Sequence, residues 1–108
     1  MALHPQAGQH AAKEQLINVA QLVSQYYSFK PNSSKPAEAV AFGTSGHRGT
    51  ASNVTFTDTH ISAICQALVE YRQQEGITGP LYVGKDTHAL SEPAMVTAIE
   101  VLCANDVD

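Results

Sequence analysis

Leu81-Tyr82-Val83, then Gly84-Lys85-Asp86-Thr87-His88, then a helical pattern opening near Ser91, is the stretch on which the fold turns. The triplet follows turn chemistry at Thr78-Gly79-Pro80 and is rich in the residues that suit a pleated, half-buried surface, so it predicts a strand. Ser91 is the expected N-cap of the next helix. Pro93 falls in its first turn, where a missing backbone donor costs little, and Met95, Ala98, Ile99, Leu102 and Cys103 recur at helical spacing as its buried face. Asn105 can stop the helix, and Val107 opens a new apolar run. Strand, loop, helix and a fresh apolar start make a βαβ unit, whose return strand is expected to run several residues beyond Asp108. One real strand with one or two short ones cannot make a covered parallel sheet. The expectation is therefore α/β, an incomplete amino-terminal piece of a larger protein, its βαβ unit cut before the return strand and preceded by a helix.

Upstream of this unit, Thr57 is a good N-cap for a second helix. Phe56 and Ile61 stand where a hydrophobic staple closes, and Gly76 can provide the left-handed stop. Its expected core stripe is Ile61, Ile64, Cys65, Leu68 and Val69. Val40-Ala41-Phe42 reads as a short buried strand leading into Gly43-Thr44-Ser45-Gly46-His47-Arg48-Gly49, and Thr50 to Phe56 as an extended, partly exposed segment. Pro31 to Pro36 breaks regular structure. A first helix is expected from about Lys13 to Tyr27, with Leu16, Val19, Ala20, Val23, Tyr26 and Tyr27 on one stripe. Residues 1–12 are small and polar, a mobile leader. The division expected is thus 1–38 for leader, helix and linker, and 39–108 for a partial α/β domain.

Composition sets the limits within which this pattern acts. The chain has 108 residues, enough for one small domain, and 44% are hydrophobic, which excludes disorder by composition. A net charge of -4 and a pI near 5.6 argue against a general nucleic-acid or anionic-membrane binder. No segment approaches the roughly 18 apolar residues needed to cross a bilayer, and no targeting signal is visible, so a cytoplasmic protein is the expectation. Cys65 and Cys103 lie inside helical patterns and read as buried, reduced thiols. His4, His10 and His60 read as surface histidines. No Cys or His spacing suggests zinc and no Asp run suggests magnesium, so no metal ligand is assigned.

The Gly43 to Gly49 loop is where chemistry concentrates. Three glycines in seven residues allow sharp turning and a close approach of backbone N–H groups to a ligand. Thr44 and Ser45 add hydroxyls, and Arg48, one of two arginines in the chain, adds a fixed fork of donors. Hydrogen bonds to charged groups contribute about 1.5–3 kcal/mol net, enough for a local anion site to prevail over a mildly acidic chain. The plain alternative is a tight connection with Arg48 paired to a carboxylate such as Asp86. The loop does not match the Walker, dinucleotide or nucleophile-elbow patterns. Lys85, Asp86 and His88 lie between a strand end and a helix start, where open α/β sheets keep ligands. Their alternative is a solvated turn in which Asp86 and Ser91 cap backbone donors.

Phe42-Gly43-Thr44-Ser45-Gly46-His47-Arg48-Gly49, followed by Tyr82-Val83-Gly84-Lys85-Asp86-Thr87-His88-Ala89-Leu90-Ser91, closely resembles the amino-terminal domain of the bacterial phosphoglucomutase family of α-D-phosphohexomutases. The likeness runs in register from Phe42 to Asp108, and the helix around Leu16 to Tyr27 is similar to that family's leader helix. The resemblance implies a four-domain enzyme that interconverts glucose 1-phosphate and glucose 6-phosphate. It also implies phosphoryl transfer through an enzyme phosphoserine and a glucose 1,6-bisphosphate intermediate, with Mg2+ on the phosphoserine. By the same likeness Thr44, Ser45, Gly46, His47 and Arg48 contact substrate phosphate, while Lys85, Asp86 and His88 support the cleft wall, His88 standing where relatives often have arginine.

The family's T-x-S-H-N-P phosphoserine motif and D-x-D-x-D magnesium loop do not occur in the 108 residues, nor do its sugar-selecting and distal phosphate loops. The chain alone is accordingly expected to be inactive, with the remaining domains of the same enzyme as its partners and a hexose phosphate as substrate. Two other readings stay open: a non-catalytic phosphosugar-binding or interaction module, and a mutase for another hexose phosphate.

Overall fold

The computed structural model describes residues 2–108 and contains three α-helices and one two-stranded sheet. In chain order these are α1 (Val19–Ser28), β1 (Phe42–Gly43), β2 (Gly46–His47), α2 (Asp58–Gln74) and α3 (Ser91–Ala104), with single 3-10 turns at Lys13–Gln15, Pro36–Glu38 and Ala51–Asn53. The fold is α/β.

α1 begins later than the apolar spacing predicts. Gln15 folds back so that its side-chain oxygen accepts from the Ala12 amide, the chain leaves the 3-10 turn extended at Leu16, and helix starts only where the Asn18 side chain accepts from the Gln21 amide at 3.0 Å. The buried face agrees with the spacing at Tyr26 and Val23 and differs elsewhere. Leu22 and Tyr26 are buried and Val23 is half-buried, whereas Leu16, Val19 and Tyr27 face solvent. Leu22 and Tyr26 are four residues apart and meet Ala51 and Leu90, with Phe56, Ile61 and Ala89 around them.

α2 and α3 pack on one another and end alike. At Gly76 (φ +67°) the Ile77 amide donates to Arg72 O and the Gly76 amide to Gln73 O; at Asp106 (φ +54°) the Val107 amide donates to Leu102 O and the Asp106 amide to Cys103 O. Both are Schellman stops, the second achieved without glycine. Ser91 is the first residue of α3, with Leu90 as the N-cap. The buried residues of α3 are Pro93, Thr97, Ala98 and Leu102; Ile99 and Cys103 are exposed, so Cys103 is not the buried thiol its position in the stripe suggests. In α2 Val69 and His60 are buried, Ile61, Ile64 and Cys65 are half-buried, and Leu68 is exposed. Both cysteines are free thiols, and burial raises the Cys65 pKa.

The three helices are tied together by one polar chain. Tyr26 Oη lies 2.7 Å from Thr97 Oγ1, which lies 2.8 Å from Asp58 Oδ1 and 3.0 Å from Pro93 O. A carboxylate only accepts, so the consistent order is Tyr26 donating to Thr97 and Thr97 donating to Asp58. Burial, opposed by the Thr97 hydrogen bond, pushes the Tyr26 hydroxyl up to about 12.

Three predicted extended segments take other forms. Phe42 is not in a buried strand: its strand pairs only with the adjacent one, Phe42 opposite His47 and Gly43 opposite Gly46, and its ring is 67% exposed. Thr50 to Phe56 is not extended but folds into the 3-10 turn at Ala51–Asn53, ended by Val54 in the left-handed region, with Ala51 buried. Leu81 to Val83 forms no ladder. It makes a single bond, from the Leu81 amide to Asp108 O at 2.6 Å, and Tyr82 is 89% exposed. A lone extended segment has no neighbour to pair its alternate amides, so no ladder forms.

Candidate functional site

The glycine loop is a hairpin whose two-residue tip is Thr44-Ser45. Gly46, at φ +120°, takes a conformation that only glycine adopts readily. Gly49 serves another purpose: a Cβ there would lie 2.6 Å from Thr55 Oγ1 and 2.7 Å from the Thr55 carbonyl carbon. That close approach lets Thr55 close the following loop. The Thr50 amide donates to Thr55 Oγ1 at 2.9 Å, while the Thr55 hydroxyl and amide both donate to Thr50 O at 3.1 Å.

His47 is clamped at both ring nitrogens. Nε2 lies 2.6 Å from Thr55 O and must carry the proton, because a carbonyl only accepts. Nδ1 accepts from the Ala41 amide at 3.1 Å. The ring stacks on Phe56 (centroids 6.4 Å apart, planes 13° apart) and on His60 (5.6 Å, 19°), distances at which offset aromatic pairs attract. The predicted surface histidine His60 is in fact 2% exposed, because its Nδ1 completes the N-cap of α2 with the Thr57 amide and hydroxyl. The spacing Thr57-x-x-His60 is that of a capping box, with histidine in place of the usual Glu or Gln, and was the available signal.

Arg48 follows directly and projects from this braced segment. It is exposed, and the ion pairs among the described residues, Lys35 with Glu38 at 3.1 Å and Lys85 with Glu92 at 2.5 Å, do not include it. The Arg48 to Asp86 pairing that the sequence leaves open is not formed. Arg48 lines two adjoining hollows instead. One, of about 380 Å³, has Gly43, Thr44, Ser45 and Gly46 around it; the other, of about 410 Å³, is lined by His47 and Arg48 together with Asp86, His88 and Ser91. The two loops are thus brought to one face, with a free guanidinium between them.

In the second loop Asp86 does the bracing. Its Oδ1 accepts from the Ser91 hydroxyl and from the His88 amide at 2.9 Å, and these two bonds, in that order, hold its carboxyl below the ordinary 3.8. His88 Nδ1 accepts from the Leu90 amide at 3.1 Å, which in a neutral ring leaves the proton on Nε2. Lys85 lines a third hollow, with Gly84, Asp86 and Ser91, and its ammonium is taken up by Glu92. Among the described residues no three His, Cys, Asp or Glu side chains converge as metal ligands, and no helix is long and apolar enough to cross a membrane.

Residues 39–108 match the family described as Phosphoglucomutase/phosphomannomutase, alpha/beta/alpha domain I. The phosphoglucomutase of Komagataeibacter xylinus is 46% identical over 107 residues, which cover 99% of this chain and 19% of that protein. The chain therefore spans about a fifth of the length of the curated relative it matches.

Proposed function

Because the chain belongs to the phosphoglucomutase/phosphomannomutase family through its alpha/beta/alpha domain I, we propose that it forms one wall of a phosphoryl-transfer cleft in a longer phosphoglucomutase. In that enzyme glucose 1-phosphate and glucose 6-phosphate interconvert through an enzyme phosphoserine and glucose 1,6-bisphosphate. Residues 39–108 are part of domain I and residues 1–38 are its leader, helix and linker. The enzyme is cytoplasmic, and this chain by itself turns nothing over.

The observation that carries the reading is the unpaired Arg48 guanidinium between two hollows, beside the hydroxyls of Thr44 and Ser45. Phosphoryl transfer asks the protein chiefly for positioning and for donors around the equatorial oxygens. Arg48 supplies a bidentate fork for a phosphate. Thr44, Ser45 and Gly46 supply a hairpin tip open to solvent on the same side. His47 supports them through the backbone, its nitrogens being taken up by Ala41 and Thr55. Asp86 and His88 shape the opposite wall, and Lys85 adds positive charge that a half-exposed, weakly held ion pair can release. The described residues do not assemble the carboxylate cluster that magnesium needs, so its ligands and the nucleophilic serine are assigned to the rest of the enzyme, and no step here passes through the ion.

The test is Arg48→Ala in the complete mutase. Loss of one preorganised donor is expected to lower kcat by roughly 10² to 10³, and turnover near wild type would overturn the assignment. Saturable binding of glucose 6-phosphate by this chain alone, measured by calorimetry, would instead favour a stand-alone phosphosugar-binding module.

A further inference from the structure

We propose that His60, a residue of α2 remote from the hairpin tip in sequence, is a positioning residue that sets the orientation of Arg48 by stacking on His47. The inference rests on Arg48 being the phosphate-binding residue, and it adds the device that aims it.

His60 has no polar atom left to offer a ligand. Nδ1 accepts from the Thr57 amide at 3.1 Å and lies 2.8 Å from the Thr57 hydroxyl, and Nε2–H donates to Glu38 O at 2.7 Å. Those bonds lock one tautomer and one ring plane in a residue that is 2% exposed. What remains is the ring face, and it lies on His47. Phe56 also stacks with His47 at nearly the same tilt, so two ring planes, 13° and 19° from the imidazole, fix its orientation.

Among the described residues His47 is in turn the only side chain bonded both to Ala41, just before the hairpin, and to Thr55, the residue that closes the following loop. Its own backbone pairs with Phe42 across the hairpin and continues directly into Arg48. A tilt of the His47 ring would strain its bonds to the Ala41 amide and the Thr55 carbonyl, which anchor the backbone that continues into Arg48. Misplacement of a reacting group by about 1 Å can cost on the order of 10²-fold in rate, so a smaller tilt is enough to matter.

The test separates the ring face from the hydrogen bonds. His60→Gln can still donate to Glu38 and accept from Thr57 but has no ring, whereas His60→Phe restores the ring face and lacks both bonds. In this chain, nitrogen NMR of His47 should report a proton on Nε2 in the wild type and in His60→Phe, and a mixture of tautomers in His60→Gln. In the complete mutase, His60→Gln should lower kcat about tenfold, His60→Phe should recover most of it, and His60→Gln added to Arg48→Ala should cost nothing further, because the two act as one unit. The proposal is overturned if His60→Gln leaves the His47 tautomer unchanged, or if it costs the same with and without Arg48. Should Arg48→Ala prove silent, the phosphate reading falls, and the NMR comparison alone decides whether His60 positions the loop.

Discussion

Gly49 and Asp86 show how single residues build the two loops without touching a ligand. At Gly49 the neighbour is backbone and cannot yield as a side-chain end would, so Gly49→Ala must push Thr55 away, loosen its bonds to Thr50 and release His47. The expected cost is about 1–3 kcal/mol in a denaturant titration, typical of overpacking, and a variant as stable as wild type would show that the close approach is relaxed in solution. At Asp86 the folded pKa is depressed by the Ser91 hydroxyl and the His88 amide, so the carboxylate's contribution is complete above its ordinary 3.8 and is lost as pH falls through the lower, folded value. The His88 amide resonance should therefore titrate with a midpoint below 3.8, and Asp86→Asn should abolish that titration. Sequence alone marked Arg48, Asp86 and the glycines as special, because residue type carries those properties. It did not distinguish Gly46, needed for its φ, from Gly49, needed for its lack of a Cβ, since both are written with the same letter.

At the level of elements, both ends of α2 and the end of α3 are legible in the sequence, whereas the Asn18 cap of α1 and the Leu90 N-cap of α3 are not. Thr57 as N-cap, Gly76 as stop and Asn105 as the end of α3 all depend on residues within one turn of each other. The faces of the helices were less so. The spacing on α1 places Leu16, Val19 and Tyr26 on its buried stripe; Tyr26 is buried, where its hydroxyl reaches Thr97 on α3, but Leu22 is buried in place of Leu16 and Val19. This bond gives the first helix its place. Thr97→Val should leave Tyr26 Oη and Asp58 short of a partner and cost about 1–3 kcal/mol, while Thr97→Ser, which keeps the hydroxyl, should recover most of the loss. Equal stability of the valine and wild-type proteins in thermal melts would remove the polar tie from the account of α1 docking. The same link predicts alkaline behaviour: with the Tyr26 pKa raised to about 12, stability is intact below pH 10 and falls as the solution passes from 10 toward 12, and Tyr26→Phe should flatten that part of the profile.

The molecule as a whole is thinly cored. Its radius of gyration is 16.7 Å, against about 13 Å for a compact chain of this length, and it exposes 7954 Å², against about 5,800 Å² for a compact protein of its mass. The surplus includes large apolar side chains left exposed, among them Tyr82, Val83, Ile99 and Tyr71. A chain with so little shared core should melt broadly by circular dichroism, and a sharp, cooperative transition would contradict the thin core. By itself the sequence determined the helices' existence, the Thr57 cap and the Gly76 and Asn105 stops, the glycine loop and the family likeness, all carried by neighbours within a few residues. Tertiary structure alone decided that His60 is buried, that Arg48 is unpaired and that the two loops meet on one face. Those outcomes depend on residues far apart in sequence being brought together, as Tyr26 with Thr97 in a hydrogen bond or His47 and Asp86 around one hollow, which happens only once separate elements pack.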